Sequence, residues 1–327
     1  MPNGPVLVLG GTGLAGGAIA RAVEAGGNAV VAVGSEAADL RDSVQVERLI
    51  RETNPRVVIH AAGRVGGIEA NTRFGFEFGL DNAFITANVL RVAEQAGVEH
   101  LIYLGSGCCY PSDRCYKMGR ADLFAGPIEE SSRAYALAKS LGIELMVRAR
   151  AEGRAWSAVI PANLYGPKDN FSPERSHVVA ALIRRLHEAK ETGAEEIALW
   201  GTGRPLRQFL HSADLGSAVA LISGHLEGIQ DVVNVAGDAD CSIADLAGAV
   251  SRVVGYEGRL LWDTSRPDGQ AVKLLDDTTV RVLGWQPAVS LEDGLADAYR
   301  WFLRNVVAKA AETSAAEVNA RRGGPVA

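Results

Sequence analysis

The sequence predicts an α/β fold: a doubly wound parallel sheet, followed by a smaller C-terminal α/β lobe. Short apolar runs alternate with stretches of helical spacing through the first half of the chain. These runs are apolar at consecutive positions, which is typical of parallel strands that helices cover on both faces. A glycine-rich turn joins the first apolar run to the first helical stretch, as a strand-to-helix connection in such a sheet requires.

The elements of the predicted sheet follow one another in strict alternation. The predicted strands are residues 6–9, 29–33, 57–60, 101–104 and 156–161. The predicted helices between them are residues 14–23, 43–53, 78–97 and 132–152. We therefore predict that residues 1–160 form one domain around the sheet, to which some later segments return.

The second half of the chain has longer loops and shorter strands. We predict strands at residues 197–200, 232–236 and 259–262, and helices at residues 176–189, 242–254 and 291–306. Residues 161–307 are expected to form mainly a smaller, substrate-binding lobe. Residues 308–327 are rich in alanine, glutamate and serine, and we expect a disordered tail there.

Composition limits the class of partner. The chain has 327 residues, 47% of them hydrophobic, and a net charge of −6, so it can bury a large core. An acidic total without a basic stripe argues against a nucleic-acid or membrane-surface partner. We expect no signal peptide, because an apolar run begins within a few residues of Met1, and no apolar run approaches the roughly 20 residues that a membrane helix needs. We expect a cytoplasmic protein.

The cysteines carry information about metals and redox state. Four are present, and their spacing matches neither a metal site nor a disulfide framework: Cys108, Cys109, Cys115 and Cys241. We therefore expect reduced thiols and no metal site.

The turn after the first strand has glycines at positions 10, 13 and 16. Glycines at this spacing allow backbone N–H groups and a helix amino terminus to reach a pyrophosphate. Its position on the first strand of a parallel sheet favours a Rossmann-like dinucleotide site over a plain turn. The predicted contacts are the turn and residues beyond the ends of neighbouring strands: Gly10, Gly11, Thr12, Gly13, Leu14, Gly16, Ser35, Asp39, Leu40, Ala61 and Ala62.

The loop after the second strand bears on the choice between NAD and NADP. A 2′-phosphate is bound by arginine or lysine, whereas a free ribose diol is bound by a carboxylate. The loop contains Glu36 and no basic residue before Arg41. Taken alone, this loop slightly favours NAD. For Glu36, an equally good interpretation is a solvent-exposed acid with no role in binding.

Tyr135 and Lys139 lie one helical turn apart on a predicted helix. A lysine ammonium beside a phenol is expected to lower the phenol's pKa, so that it exchanges a proton with a substrate oxygen. The same spacing occurs on many surface helices. Three features favour catalysis here: the glycine turn, the order of the motifs along the chain, and Ser106 after the strand at residues 101–104, as a second hydrogen-bond donor.

Further stretches accompany these motifs and identify a family. They are residues 65–68, 106–111, 161–171, 176–178, 200–203, 207–211, 267–269 and Lys273. From Val6 to about Asn305 the chain resembles the extended short-chain dehydrogenases, and within them the GDP-4-keto-6-deoxymannose 3,5-epimerase-4-reductases.

This resemblance implies an activity and a set of roles. The activity is NADPH-dependent 3,5-epimerisation and 4-reduction of a GDP-4-keto-6-deoxy-hexose to a GDP-L-fucose-type nucleotide sugar. Ser106, Tyr135 and Lys139 correspond to the reductase triad, and Cys108 and His177 to the epimerisation groups. The implied substrate contacts are Asn163, Arg185, Trp200, Arg207 and Lys273. The implied further cofactor contacts are Lys139, Pro161, Asn163, Leu164 and His177. A homodimer formed through the helices at residues 78–97 and 132–152 is also implied.

The chain departs from the family pattern in two places. Gly107 stands where serine or threonine is usual, and residues 115–124 lack the usual proline-isoleucine and glutamate element. These departures leave the exact sugar open, and the nucleotide is open as well. Two alternative functions also stay open. One is a nucleotide-sugar 4-epimerase or 4-ketoreductase using NAD(H), which needs neither Cys108 nor His177. The other is a non-catalytic dinucleotide-binding regulator, which would tolerate loss of Tyr135 or Lys139.

Overall fold

A computed structural model of the chain describes residues 4–266, 268–310 and 312. The strands are β1 (Val6–Leu9), β2 (Val30–Val33), β3 (Val57–His60), β4 (His100–Leu104), β5 (Lys117–Met118), β6 (Ala155–Pro161), β7 (Asn163–Tyr165), β8 (Glu196–Trp200), β9 (Leu206–His211), β10 (Val232–Val235), β11 (Asp240–Ser242), β12 (Arg259–Asp263) and β13 (Val272–Leu275). The α-helices are α1 (Leu14–Ala25), α2 (Ser43–Thr53), α3 (Ile68–Arg73), α4 (Gly75–Gln95), α5 (Arg133–Ala151), α6 (Val178–Glu191), α7 (Ser212–Ser223), α8 (Ile243–Val254), α9 (Thr278–Val282) and α10 (Leu291–Phe302).

A six-stranded parallel sheet forms the centre of the fold, in the order β10-β6-β4-β3-β1-β2. The predicted doubly wound sheet is thereby confirmed. Every strand predicted in the first half belongs to it, and β10 adds a strand from the second half. The chain order reverses between β1 and β3, because β2 lies on one side of β1 and β3 on the other. In sheets of this kind, ligands bind in the crevice outside the carboxyl ends of the strands at this reversal.

The alternation of side chains along β1 explains why the sheet is apolar on both faces. Leu7 and Leu9 pack into one core cluster, which includes residues of α2, α4 and α5. Val6 and Val8 point to the opposite face and pack against α1 and α7. Each fully buried side chain of this kind contributes about 1.5–3 kcal/mol. A strand buried on both faces therefore appears in sequence as a continuous apolar run.

The second half of the chain builds two smaller sheets. One has the order β11-β9-β13-β5, with β7 also paired to β9, and the other pairs β8 with β12. A third core cluster lies among α6, α8 and α10. Strand β7 directly follows β6 of the central sheet, so the chain passes at Pro161 from one sheet to the other.

Several elements, most of them in the second half of the chain, were not predicted from the sequence. Strands β5, β7 and β11 have only two or three residues, which is too short for a period to be recognised. Helix α7 is buried against α1 and the sheet, so it has no polar stripe; a Cβ on its Gly216 would lie 2.6 Å from the carbonyl oxygen of Ala18. The predicted helix at 291–306 is α10 followed by a π-helical segment at Leu303–Val307.

The predicted tail falls mostly outside the described residues. Residues 308–310 and 312 are helical, and residues 311 and 313–327 lie outside the description, as does residue 267. Across the described part of the chain, no helix has both the length and the apolar composition required to cross a bilayer.

Candidate active site

The glycine turn connects β1 to α1 at the carboxyl edge of the sheet. Gly10 has a φ of +79°, and a Cβ there would lie 2.8 Å from the backbone of Ala62. A Cβ on Gly16 would lie 2.2 Å from the carbonyl oxygen of Gly10, so α1 packs directly on the turn. At Gly13, the N-cap of α1, a Cβ would meet only that same oxygen among the described residues, at 3.5 Å. The start of α1 thus leaves room where a pyrophosphate fits.

The loop after β2 carries a carboxylate beside the glycine turn. A Cβ on Gly34 would lie 2.4 Å from both carboxylate oxygens of Glu36 and from Thr12 Oγ1. Arg41 is already paired, because it donates to the Asp39 carboxylate from Nε at 3.0 Å and from Nη2 at 2.8 Å. These bonds hold the pKa of Asp39 at about 2. The charge that the loop after β2 places beside Thr12 is therefore the negative charge of Glu36.

The other predicted cofactor contacts lie along the same crevice. Gly11 is buried against Ala32, and Leu14 is the first residue of α1. The remaining residues lie at or after the carboxyl ends of β2, β3 and β6. Leu40 and Pro161 are buried and Ser35 is exposed, while four are half-buried: Ala61, Ala62, Asn163 and Leu164. Together with the room at the start of α1, these positions fit a dinucleotide.

Tyr135 and Lys139 lie on α5 with both side chains buried. Lys139 Nζ donates to the carbonyl oxygen of Leu104 at 3.0 Å, and burial lowers the pKa of this ammonium to about 8. Burial raises the pKa of Tyr135 well above its ordinary value; the neighbouring Cys108 adds to this, whereas a hydrogen bond with Ser106 lowers it. The pKa of Tyr135 is thus raised and not lowered as expected, because burial outweighs the hydrogen bond with Ser106. Tyr135 is a protonated donor at neutral pH.

Cys108 sits in a short 3-10 turn that Ser106 caps. The backbone N–H of Cys108 donates to Ser106 Oγ at 3.2 Å. Lys273, on β13, extends its ammonium to within 3.1 Å of Cys108 Sγ. Cys109 is different: it is fully buried and its thiol contacts the carbonyl oxygen of Ala136 at 3.5 Å, as a packed thiol would. The structure thus brings Ser106, Cys108, Tyr135 and Lys273 together.

His177 is the N-cap of α6 and is half-buried. Burial lowers its pKa below the ordinary value, and the charge of Lys273 lowers it further. Lys273 therefore acts electrostatically on both predicted epimerisation groups. A His177 imidazolium would readily release its proton, because the neutral ring is the favoured form.

The predicted substrate contacts Arg185, Trp200 and Arg207 lie on different strands and helices. Arg207, on β9, is half-buried, donates from Nη1 to the carbonyl oxygen of Leu206 at 2.8 Å and feels the charges of Glu129 and Cys108. Arg185 donates from α6 to the carbonyl oxygen of Ala198 on β8. Trp200, at the end of β8, is 49% exposed, and the guanidinium of Arg266 stacks over its ring at 5.1 Å. Arg185 and Trp200 thus border the two-stranded sheet, while Arg207 lies beside Lys273.

Three residues near the site were not singled out from the sequence. Lys168 has a φ of +71° and its Nζ lies 3.4 Å from the carbonyl oxygen of Thr12 in the glycine turn. Asp268 accepts hydrogen bonds from the backbone and hydroxyl of Thr202, which fixes the turn after β8. His60 is fully buried beside Lys139, and burial lowers its pKa to about 3. Lys168 and Asp268 lie inside stretches that carry the family resemblance, and His60 ends a predicted strand, so none of the three had a signal of its own.

The segment at residues 115–124, which departs from the family pattern, is held by ion pairs. Lys117 Nζ lies 3.3 Å from Asp240, and Arg120 binds the Asp231 carboxylate at 2.5–2.6 Å. Within residues 4–266, 268–310 and 312, no group of three or more His, Cys, Asp or Glu side chains is arranged to hold a metal ion.

A family model agrees with this architecture. The NAD dependent epimerase/dehydratase model matches residues 6–236, which include the glycine turn, Ser106, Tyr135 and Lys139. The chain belongs to the NAD dependent epimerase/dehydratase family.

Relatives within this epimerase/dehydratase family narrow the comparison. The chain is 42% identical to "Probable GDP-L-fucose synthase 1" of Oryza sativa subsp. japonica, over 93% of this chain and 94% of the relative. It is 40% identical to "GDP-L-fucose synthase" of Escherichia coli (strain K12), over 92% and 97%. A GDP-L-fucose synthetase from Naegleria fowleri solved with NADP aligns with a TM-score of 0.83 and 29% identity, over 93% and 95%. These similarities confirm the predicted resemblance and the predicted class of enzyme.

Proposed function

We propose that the chain catalyses NADPH-dependent 3,5-epimerisation and 4-reduction of a GDP-4-keto-6-deoxy-hexose, giving a GDP-L-fucose-type nucleotide sugar. The observation that carries this proposal is the lysine-paired Cys108 thiol beside Ser106 and Tyr135. A simple ketoreductase or 4-epimerase requires a proton donor and a cofactor, but no second proton-exchanging thiol. The names of the relatives support the same activity.

The epimerisation half-reaction follows from the acidity of carbons next to a ketone. A C4 ketone acidifies the hydrogens on C3 and C5, because the electrons left behind spread onto the C4 oxygen. In our proposal Cys108, as a thiolate, removes the proton, and the hydroxyls of Ser106 and Tyr135 donate hydrogen bonds to the enolate oxygen. His177, in its imidazolium form, delivers its proton to the opposite face, which inverts the carbon, and becomes the neutral ring.

The reduction half-reaction uses the same phenol. When bound, the nicotinamide cofactor supplies the hydride that reduces the C4 ketone. Tyr135 is protonated because burial raises its pKa, so it gives its proton to the C4 oxygen as negative charge develops there. Lys139, one helical turn along α5 from Tyr135, is held in place by its hydrogen bond to the carbonyl oxygen of Leu104.

Substrate conversion by the purified enzyme tests this function. We expect cofactor absorbance to fall with NADPH and GDP-4-keto-6-deoxymannose, and the product to be inverted at C3 and C5. A panel that includes UDP-linked 4-keto sugars addresses the nucleotide. Interconversion of 4-epimers without net cofactor oxidation would instead identify a 4-epimerase.

We propose that Arg207 binds the diphosphate of the substrate. Replacement by alanine should raise the apparent KM for the sugar nucleotide roughly ten- to a hundredfold, because a charge-assisted hydrogen bond contributes about 1.5–3 kcal/mol. The KM for NADPH should change little. Steady-state kinetics measure both, with Arg259→Ala as the control, since Arg259 lies exposed on β12 and pairs with Glu196. An unaltered sugar-nucleotide KM would make Arg207 a structural cation.

We propose that NADPH is used with only a modest preference over NADH. The carboxylate of Glu36 beside Thr12 disfavours a 2′-phosphate, and Arg41 is occupied by Asp39. Glu36→Lys should strengthen the preference for NADPH by supplying a positive partner for that phosphate. Comparison of kcat/KM for both cofactors measures this, and Glu36→Gln separates loss of the negative charge from gain of the positive one. A wild-type enzyme strongly selective for NADH would contradict the proposal.

We propose the domain division made from the sequence: residues 1–160 bind the dinucleotide and residues 161–307 mainly bind the substrate, with β10 joining the first domain. We also propose a cytoplasmic location. The four cysteines are all free thiols in the structure, which suits a reducing compartment.

We propose a homodimer that forms through α4 and α5. Each helix presents three exposed apolar side chains at four-residue spacing: Phe76, Leu80 and Phe84 on α4, and Leu137, Leu141 and Leu145 on α5. The two helices pack side by side, so the six side chains are on neighbouring helices. An exposed apolar surface of this kind indicates an interface, because monomers rarely leave such a surface uncovered.

Phe84→Glu should shift the protein from dimer to monomer, because the charge would be buried in the apolar interface. Light scattering after gel filtration at micromolar concentration measures the mass. Val282→Glu is the matched control, since Val282 is 80% exposed on α9, outside the proposed interface. A wild-type monomer, or a Phe84→Glu dimer, would refute this interface.

A further inference from the structure

The contact between Lys273 and Cys108 joins two parts of the fold that are far apart in sequence. Lys273 is on β13 of the second lobe, and Cys108 follows β4 of the central sheet. The Nζ–Sγ distance is 3.1 Å. Gly107 leaves space for the Lys273 side chain, because a Cβ at this position would lie 3.3 Å from Lys273 Cε, closer than ordinary van der Waals contact. The glycine at the position where serine or threonine is usual therefore accommodates this lysine.

The two adjacent cysteines provide an internal comparison. Cys108 and Cys109 are neighbours in one 3-10 turn, but only Cys108 contacts an ammonium. Burial raises the pKa of Cys109 to about 12. Burial also opposes ionisation of Cys108, yet the charge and hydrogen bond of Lys273, followed by the hydroxyls of Ser106 and Ser132, bring its pKa below the ordinary value. The difference between the neighbours follows from what their sulfur atoms contact.

The remaining charged and titratable groups around Cys108 are few. Arg207 on β9 lies in register with Lys273 on β13, and its charge interacts with the thiol. Tyr135 on α5 also interacts with Cys108, and it is protonated at neutral pH. Lys273 is the group in direct contact with Sγ, so it is expected to have the largest influence on the thiol.

We propose that Lys273 is a positioning residue that holds Cys108 as a thiolate at neutral pH, and not only a substrate contact. The proposal deepens the proposed function and rests on it for the use made of the thiolate. The thiolate forms a bond to the proton of C3 or C5, the C–H electron pair moves to the C4 oxygen, and Cys108 becomes a neutral thiol. Lys273 remains an ammonium throughout. The thiol then releases its proton to solvent, and the ammonium favours that release.

Alkylation of Cys108 by iodoacetamide as a function of pH tests this role without any sugar substrate, because only the thiolate reacts. Mass spectrometry of the peptides measures Cys108 and the exposed Cys115 in the same sample. In the wild-type protein, the alkylation rate of Cys108 should reach half its maximum at a lower pH than that of Cys115. The opposite order would overturn the proposal, and this comparison requires no variant.

Lys273→Met should lower the relative alkylation rate of Cys108 near pH 7 by roughly tenfold or more, since each unit of pKa changes the thiolate fraction tenfold. Lys273→Arg should restore most of that rate, and the profile of Cys115 should not move. A Met variant that binds sugar nucleotide more weakly but keeps the wild-type Cys108 profile would make Lys273 a substrate contact alone. If the profile shifts as expected while no GDP-4-keto sugar is converted, the proposed function fails and the role of Lys273 stands.

Discussion

Cys108→Ser should abolish proton exchange at C3 and C5 of the substrate. A serine hydroxyl is far less acidic than a thiol with a lowered pKa, so it cannot act as the base at neutral pH. We expect deuterium incorporation from heavy water to fall by roughly 10²- to 10⁴-fold, the range that a positioned general base contributes. Mass spectrometry and NMR of the recovered sugar nucleotide measure the label at each carbon.

The control is Cys115→Ser, which removes an exposed thiol and should leave exchange unchanged. The Cys108 variant should still reduce the un-epimerised ketone slowly, because Tyr135 and Lys139 are intact. His177→Asn should give partly epimerised product, since delivery to the opposite face is impaired. Wild-type exchange in Cys108→Ser would reduce Cys108 to a packed thiol and leave a plain reductase or a 4-epimerase.

Tyr135→Phe should produce the opposite separation. Loss of the phenol removes the proton donor for the C4 oxygen, so NADPH oxidation should fall by roughly 10²- to 10⁴-fold. Deuterium exchange at C3 and C5 should persist at a reduced rate, because Ser106 still donates to the enolate oxygen and Cys108 keeps its contact with Lys273.

Cofactor absorbance and deuterium incorporation, measured on the same sample, report the two half-reactions of this variant separately. Tyr116→Phe serves as the matched control, because Tyr116 is exposed and bonds Asp122 in the segment at residues 115–124. Equal loss of both signals in Tyr135→Phe would show that the phenol is required for enolisation as well. It would contradict the proposal that the two half-reactions can be separated by mutation.

The two variants also distinguish the alternatives left open by the sequence. A 4-epimerase or a plain ketoreductase would lose activity with Tyr135→Phe and be indifferent to Cys108→Ser. A dinucleotide-binding regulator would show neither NADPH oxidation nor exchange in the wild type. Only an enzyme with both half-reactions loses proton exchange with Cys108→Ser and NADPH oxidation with Tyr135→Phe.

The sequence predicted the sheet and the glycine turn at its edge because the signals for both are local. Strands buried on both faces are continuous apolar runs, and the glycine turn needs small residues where Gly10 and Gly16 meet. Tyr135 and Lys139 are one turn apart, so helical geometry alone brings them together. The elements that were missed, such as β7 and α7, are very short or buried on several sides, and neither kind has a clear periodicity.

The sequence by itself determined the parallel sheet, the dinucleotide crevice and the candidate proton donors, because each depends on residues close together along the chain. Only the tertiary structure decided that Lys273 lies against Cys108, that Asp39 occupies Arg41, and that burial raises the pKa of Tyr135. The Lys273–Cys108 contact forms where β13, which pairs with β9, brings Lys273 to the 3-10 turn that follows β4. Charge at an active site depends on distance and burial in space, and sequence separation specifies neither.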